Sequence, residues 1–164
     1  MTATFPTSFR SVAPTDDNSR DQVARGALAE YLATHDPLTT ADLTFPERTW
    51  ERIGSVAGAE IWLITWPAGS STGWHDHGSA SGAFVTLSGQ LTEYVWTGVA
   101  TASTLGERAV REFDGSHIHD VINHGTTTAV SLHAYAPALA AMTRYELVRG
   151  RLQVSGVEQR GESW

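Results

Sequence analysis

The sequence contains no cysteine. Disulfide frameworks, cysteine-ligated zinc and thiol nucleophiles are therefore excluded. It has no apolar run near the ~20 residues that a helix needs to cross a bilayer. It is poor in positive charge, with 11 Lys and Arg against 18 Asp and Glu and a formal net charge of −7. That sign repels phosphate backbones and anionic lipid, so neither nucleic acid nor a membrane is an expected partner. The opening MTATFPTSFR lacks a basic stretch followed by an apolar one. No export signal is read there, and a cytoplasmic location is expected.

What remains is 164 residues, 41% hydrophobic and 18% charged, enough for one globular core. Residues 1–18 are rich in Thr, Ser, Pro and Asp without periodicity, and a mobile tail is expected. Across 19–34, Val23, Ala27, Leu28, Tyr31 and Leu32 fall at helical spacing, and Pro37 ends the pattern. A helical segment is therefore assigned to 19–50 and a β domain to 51–164. The β domain is read from short segments rich in β-branched and aromatic residues, among them AEIWLITW (59–66), AFVTLS (83–88), LTEYVW (91–96) and TTAVSLHAY (127–135). Seven or eight strands with no alternating long helices predict an all-β sandwich or small barrel.

Histidine is where the chemistry concentrates. His75 and His77 stand two apart in WHDHG, so on extended backbone both rings face one side, ~6–7 Å apart at Cα. Two such rings reach one metal, and imidazole suits zinc, iron, nickel or copper alike. Asp76 between them is turned away. Trp66 and Trp74 are read as wall residues.

The run G-x5-H-x-H-x4-G-x6-G, from Gly69 to Gly89, resembles the first cupin motif, and His119 with Asn123 resembles the H-x3-N that ends the second. That resemblance implies a double-stranded β-helix, or jelly roll, with a small N-terminal helical segment. The glutamate usual in the first motif is replaced by Gly82. A three-histidine site without a carboxylate remains dicationic around a divalent metal and favours an anionic ligand.

Taken together, WHDHGSASGAF and HIHDVINHGTTTAVSLHAYAPAL resemble the cysteine dioxygenase family of thiol dioxygenases, from about Arg52 to Tyr145. The resemblance implies His75, His77 and His119 as Fe(II) ligands. It implies Ser131, His133 and Tyr135 as a hydrogen-bonding relay; alternate spacing puts all three on one strand face. It implies an arginine for the substrate carboxylate, matched by Arg52 with Arg48 as the fallback. Animal members carry a cysteine at the place of Gly82, crosslinked to the tyrosine matching Tyr135, and that bond cannot form here. His117 is read as an outer group or an alternative ligand. The implied activity is oxidation of a small thiol carboxylate, cysteine favoured, to its sulfinate with O2. The alternatives are 3-mercaptopropionate or another thiol as substrate, and a cupin that binds metal or ligand without redox turnover. The oligomeric state is not legible.

Overall fold

The computed structural model describes residues 16–161. Helix α1 spans Asp16–Thr34, and a 3-10 turn follows at Pro37–Thr39. Ten strands come next: β1 Thr49–Val56, β2 Ala59–Trp66, β3 Ser81–Ser88, β4 Leu91–Trp96, β5 Ala100–Leu105, β6 Val110–Phe113, β7 His119–Ile122, β8 Ala129–Ala136, β9 Ala141–Val148 and β10 Arg151–Gln159. The fold is mostly β, as expected. Residues 1–15 of the expected tail lie outside the described residues, and 16–18 belong to α1.

Two strands beyond the expected eight reflect weak apolar signals. ATASTL and RLQVSGVEQ carry few large apolar side chains, because β5 and β10 are edge strands and mostly exposed. The strands form three antiparallel sheets that do not close on one another, in the orders β1-β2-β8-β3-β6, β5-β4-β7 and β10-β9.

Helix α1 decides why the middle strands are apolar on both faces. Ala59, Ile61 and Leu63 of β2, and Val130, Leu132 and Ala134 of β8, pack with Ala24, Ala27 and Leu28 of the helix. Small alanines let the helix approach the sheet. Val23, expected on this face, is 40% exposed, and Ala24 takes its place. The alternate residues Ile64, Trp66, Phe84 and Tyr135 form the interior cluster with Leu91, Phe113 and Val121. Period two thus sends one set of side chains to the helix and the other to the interior. Ser131 and His133 alternate with the helix-facing set, so the relay residues point inward.

Candidate metal centre

His75 and His77 lie in the segment between β2 and β3, and His119 begins β7. The backbone brings them together. His75 N donates to His119 O at 2.9 Å, and His119 N donates back to His75 O at 3.0 Å. The ring centroids are 4.9 Å apart for His75–His77, 4.7 Å for His75–His119 and 5.0 Å for His77–His119. All three rings are buried, and one ring nitrogen from each lies within 4.8 Å of the others. Burial, with the neighbouring imidazoles adding to it, lowers the pKa of His75 and His77 well below the usual histidine value. Burial also lowers that of His119. Neutral rings are the ligand form.

The far nitrogens are held. His75 Nδ1 is 2.9 Å from Gly73 O, and His119 Nδ1 is 2.8 Å from Glu93 Oε1, which leaves both Nε2 atoms for an ion. His77 Nδ1 is buried without a hydrogen-bond partner among the described residues. Coordination would fix a ring that the protein leaves loose at that atom. Three neutral nitrogen donors fit a divalent transition metal.

Glu93 is the residue that sequence reading misses. It is fully buried on β4 and binds both His119 Nδ1 and, at 3.1 Å, His117 Nε2. Arg111 Nε stands 2.5 Å from Glu93 Oε2 as an ion pair. Burial alone would push the Glu93 carboxyl up; hydrogen bonds from His117 and His119 and the nearby positive charge outweigh it and hold the group at about 2. The trio therefore keeps its carboxylate-free donor set, but an acid sits behind one ring. Glu93, His117 and His119 also cluster within 4.8 Å. There the carboxylate is already engaged by Arg111, a poor setting for a second cation. His117 lies behind His119, on the far side of Glu93's hydrogen bonds. The available signal for Glu93 was an acid at the core-facing position of LTEYVW, between Leu91 and Val95.

Ser131, His133 and Tyr135 share the inner face of β8. Ser131 Oγ is 2.8 Å from His133 Nε2, and His133 Nδ1 is 3.4 Å from the Tyr135 hydroxyl. Burial, followed by the charges of His119 and Arg48, pushes His133 down to about 3. Burial raises the Tyr135 phenol above its ordinary value, so it keeps its proton. Trp66 joins this chain: its Nε1 donates to Ser131 Oγ at 2.8 Å.

A cavity partly open to solvent is lined by His75, His119, His133, Tyr135, Arg48 and Arg144, among others. Trp50, Trp62, Trp66 and Leu139 supply much of its apolar wall. The structure does not bring Arg52 here. Arg52 is exposed on the edge strand β1 and does not line the cavity, although Trp62, its partner on β2, does. The fallback, Arg48, lines the cavity and lies 4.8 Å from the Trp50 ring and 5.4 Å from that of Trp66. Burial first, then the charge of Arg144, brings its pKa down to about 10, still cationic at neutral pH.

The remaining motif residues are supports. Asn123 Nδ2 donates to Trp66 O at 2.7 Å and to Thr127 O at 2.8 Å, tying the end of β7 to the end of β2. Asp76 does turn away from the trio: it accepts from the Tyr145 hydroxyl at 2.6 Å and from Gly78 N at 3.0 Å. A Cβ on Gly82 would overlap Phe113 Cζ and lie 2.9 Å from Ala134 O. The Phe113 ring fills that space and stacks on His77 with centroids 4.4 Å apart.

Fold and site together define a cupin with a metal-binding-capable three-histidine centre. Solved structures agree on the fold. The protein TT1209 from Thermus thermophilus matches at TM-score 0.56 and 16% identity, over 63% of this chain and 96% of that one. An RmlC-like cupin from Desulfovibrio desulfuricans matches at 0.55 and 20%, over 64% and 96%. The cupin domain of Schizosaccharomyces pombe Cnp3 matches at 0.53 and 14%, over 63% and 68%. Among curated proteins nothing matches. The family described as cysteine dioxygenase type I matches residues 34–147, well over half of the chain. The protein belongs to that family. No helix among the described residues is long and apolar enough to cross a membrane.

Proposed function

We propose that the protein is a mononuclear non-heme iron thiol dioxygenase acting on a small thiol carboxylate. The observation that carries this reading is a single cavity whose wall holds His75, His119, Tyr135 and Arg48 together. An Fe(II) ion held by His75, His77 and His119 would supply affinity for a thiolate and the oxygen chemistry. Both atoms of O2 enter the product, R–S⁻ + O2 → R–SO2⁻, and the sulfur provides all four electrons, so no outside reductant is required.

The chain's own side chains do the placing. Arg48 meets the carboxylate with a planar fork suited to two parallel charge-assisted bonds. Its position just before β1 sets how far the sulfur lies from the imidazoles. Trp50, Trp62 and Trp66 exclude water, which strengthens that pairing. Tyr135, kept protonated by its burial, donates a hydrogen bond into the cavity. These groups turn an encounter of thiol and oxygen into a reaction at fixed distance.

Cysteine is the first candidate by family membership. The cavity favours a second reading equally: its lining holds two guanidinium groups and no carboxylate to receive a substrate ammonium. 3-Mercaptopropionate satisfies that lining without an unpaired cation. Purified protein is expected to retain iron and to consume O2 with one of these thiols at equal iron content. Iron-loaded protein that leaves cysteine, 3-mercaptopropionate and mercaptosuccinate untouched overturns the proposal, and a site that holds zinc or manganese with no oxygen uptake after iron reconstitution favours the non-redox cupin. A cytoplasmic setting, with small thiols and O2 as the partners, belongs to the same proposal.

A further inference from the structure

Trp66 reaches two functional arms of the cavity at once. The residue is fully buried at the end of β2. Its indole N–H donates to Ser131 Oγ at 2.8 Å, and its ring lies 5.4 Å from the Arg48 guanidinium carbon. We propose that Trp66 is a positioning residue that sets the direction of the Ser131–His133–Tyr135 hydrogen-bond chain and helps to place Arg48.

The direction follows from what each group can do. An indole N–H only donates, so Ser131 Oγ must accept from it. The Ser131 hydroxyl proton then needs an acceptor, and among the described residues the remaining partner of that oxygen is His133 Nε2, at 2.8 Å. Nε2 therefore accepts, and the neutral ring carries its proton on Nδ1. That N–H faces the Tyr135 oxygen at 3.4 Å. The Tyr135 proton is left to point toward the cavity. Without the indole N–H, Ser131 is free to accept from His133 instead. The chain can then reverse, with Tyr135 donating to Nδ1 and its proton turned away from the cavity. The second arm is separate: a guanidinium beside an indole face gains cation–π attraction, most strongly where water is excluded. Trp50, at 4.8 Å, shares that role.

What the direction does in turnover rests on the dioxygenase reading; the direction itself does not, and it is measured without turnover. The experiment uses the full chain loaded with Zn(II), a diamagnetic ion, with 15N-labelled histidine. In the wild type, His133 is expected as the Nδ1–H tautomer. Trp66→Phe, which keeps a ring beside Arg48 but removes the N–H, is expected to populate the Nε2–H tautomer. Its dissociation constant for 3-mercaptopropionate should stay within about threefold of wild type, whereas Trp66→Leu should weaken binding about tenfold or more. Ser131→Ala interrupts the same chain at its next atom and should also release the Nδ1–H preference, which keeps the test decisive if a tryptophan variant fails to fold. A wild-type His133 found as Nε2–H, a tautomer unmoved in Trp66→Phe or Ser131→Ala, or equal thiol affinity in the Phe and Leu variants overturns the proposal. Absence of oxygen uptake would sink the dioxygenase reading and leave these tautomer results standing.

Discussion

His75 and His119 exchange both of their backbone hydrogen bonds, at 2.9 and 3.0 Å, and this bridge holds their rings 4.7 Å apart between centroids. Two candidate ligands from distant parts of the sequence are thus brought together by main-chain pairing. The cost of gathering them is met in folding, which leaves metal binding to fix little more than side-chain rotation.

His119→Ala should abolish iron retention, because it removes one of three convergent nitrogens. His117→Ala should leave most of the iron bound, since His117 is hydrogen-bonded to Glu93 and lies outside the cluster of His75, His77 and His119. Iron content after gel filtration decides between them, and the reverse order of losses would show that His117 is the ligand.

Arg48→Ala should raise KM for the thiol carboxylate by roughly 10- to 100-fold, the loss of charge-assisted bonds worth about 1.5–3 kcal/mol. Arg52→Ala should leave KM within about twofold, because Arg52 is exposed and does not line the cavity. Steady-state oxygen uptake at matched iron content reads both.

Glu93→Gln should weaken metal affinity by about 10- to 100-fold, the usual effect of removing the acid behind a ligating imidazole. It should also change acid stability. The Glu93 pKa is depressed on folding, so its contribution is full above the unfolded carboxyl value and is lost as pH falls toward about 2. His75, His77 and His133, buried and neutral, act in the same direction: below pH ~6.5 the unfolded state takes up protons that the folded state refuses. The metal-free wild type should therefore lose thermal stability from about pH 6.5 downward, and the part lost below about pH 4.5 should be smaller in Glu93→Gln. Melting curves from about pH 8 to about pH 3 test this.

Gly82→Cys should not recreate the crosslink of animal members. The new Cβ would meet Phe113 and the Ala134 carbonyl, and the carbonyl cannot rotate aside. A destabilisation of about 1–3 kcal/mol is expected, as for other overpacked cores. Denaturant unfolding measures it, and intact-mass analysis should show no loss of the two hydrogens that a thioether bond to Tyr135 removes. A stable, crosslinked variant would mean that Phe113 yields readily.

Much of the scaffold was legible because it depends on local geometry. The alternation in AEIWLITW and TTAVSLHAY marks strands whatever their partners. Their apolar residues on both faces are explained only by the helix lying across them. Strands β5 and β10 were missed because an edge strand buries too little to carry a pattern. In the site, His75-x-His77 and Ser131-x-His133-x-Tyr135 could be read because period two puts alternate side chains on one face. Arg52 was preferred to Arg48 although both fall in the same alternation. The choice between them depends on which side chain the tertiary packing brings into the cavity wall, which no local spacing records.

By itself, then, the sequence determined the segments, the inward-facing sets and the residue types able to hold a metal, because covalent geometry fixes side-chain direction over a few residues. The tertiary structure decided which groups from remote strands meet: Glu93 behind His119, Trp66 on Ser131, Arg48 over the cavity and Phe113 in the space beside Gly82. Those contacts cross between strands far apart in the chain, and they follow from sheet order and packing, which the spacing within a segment does not contain.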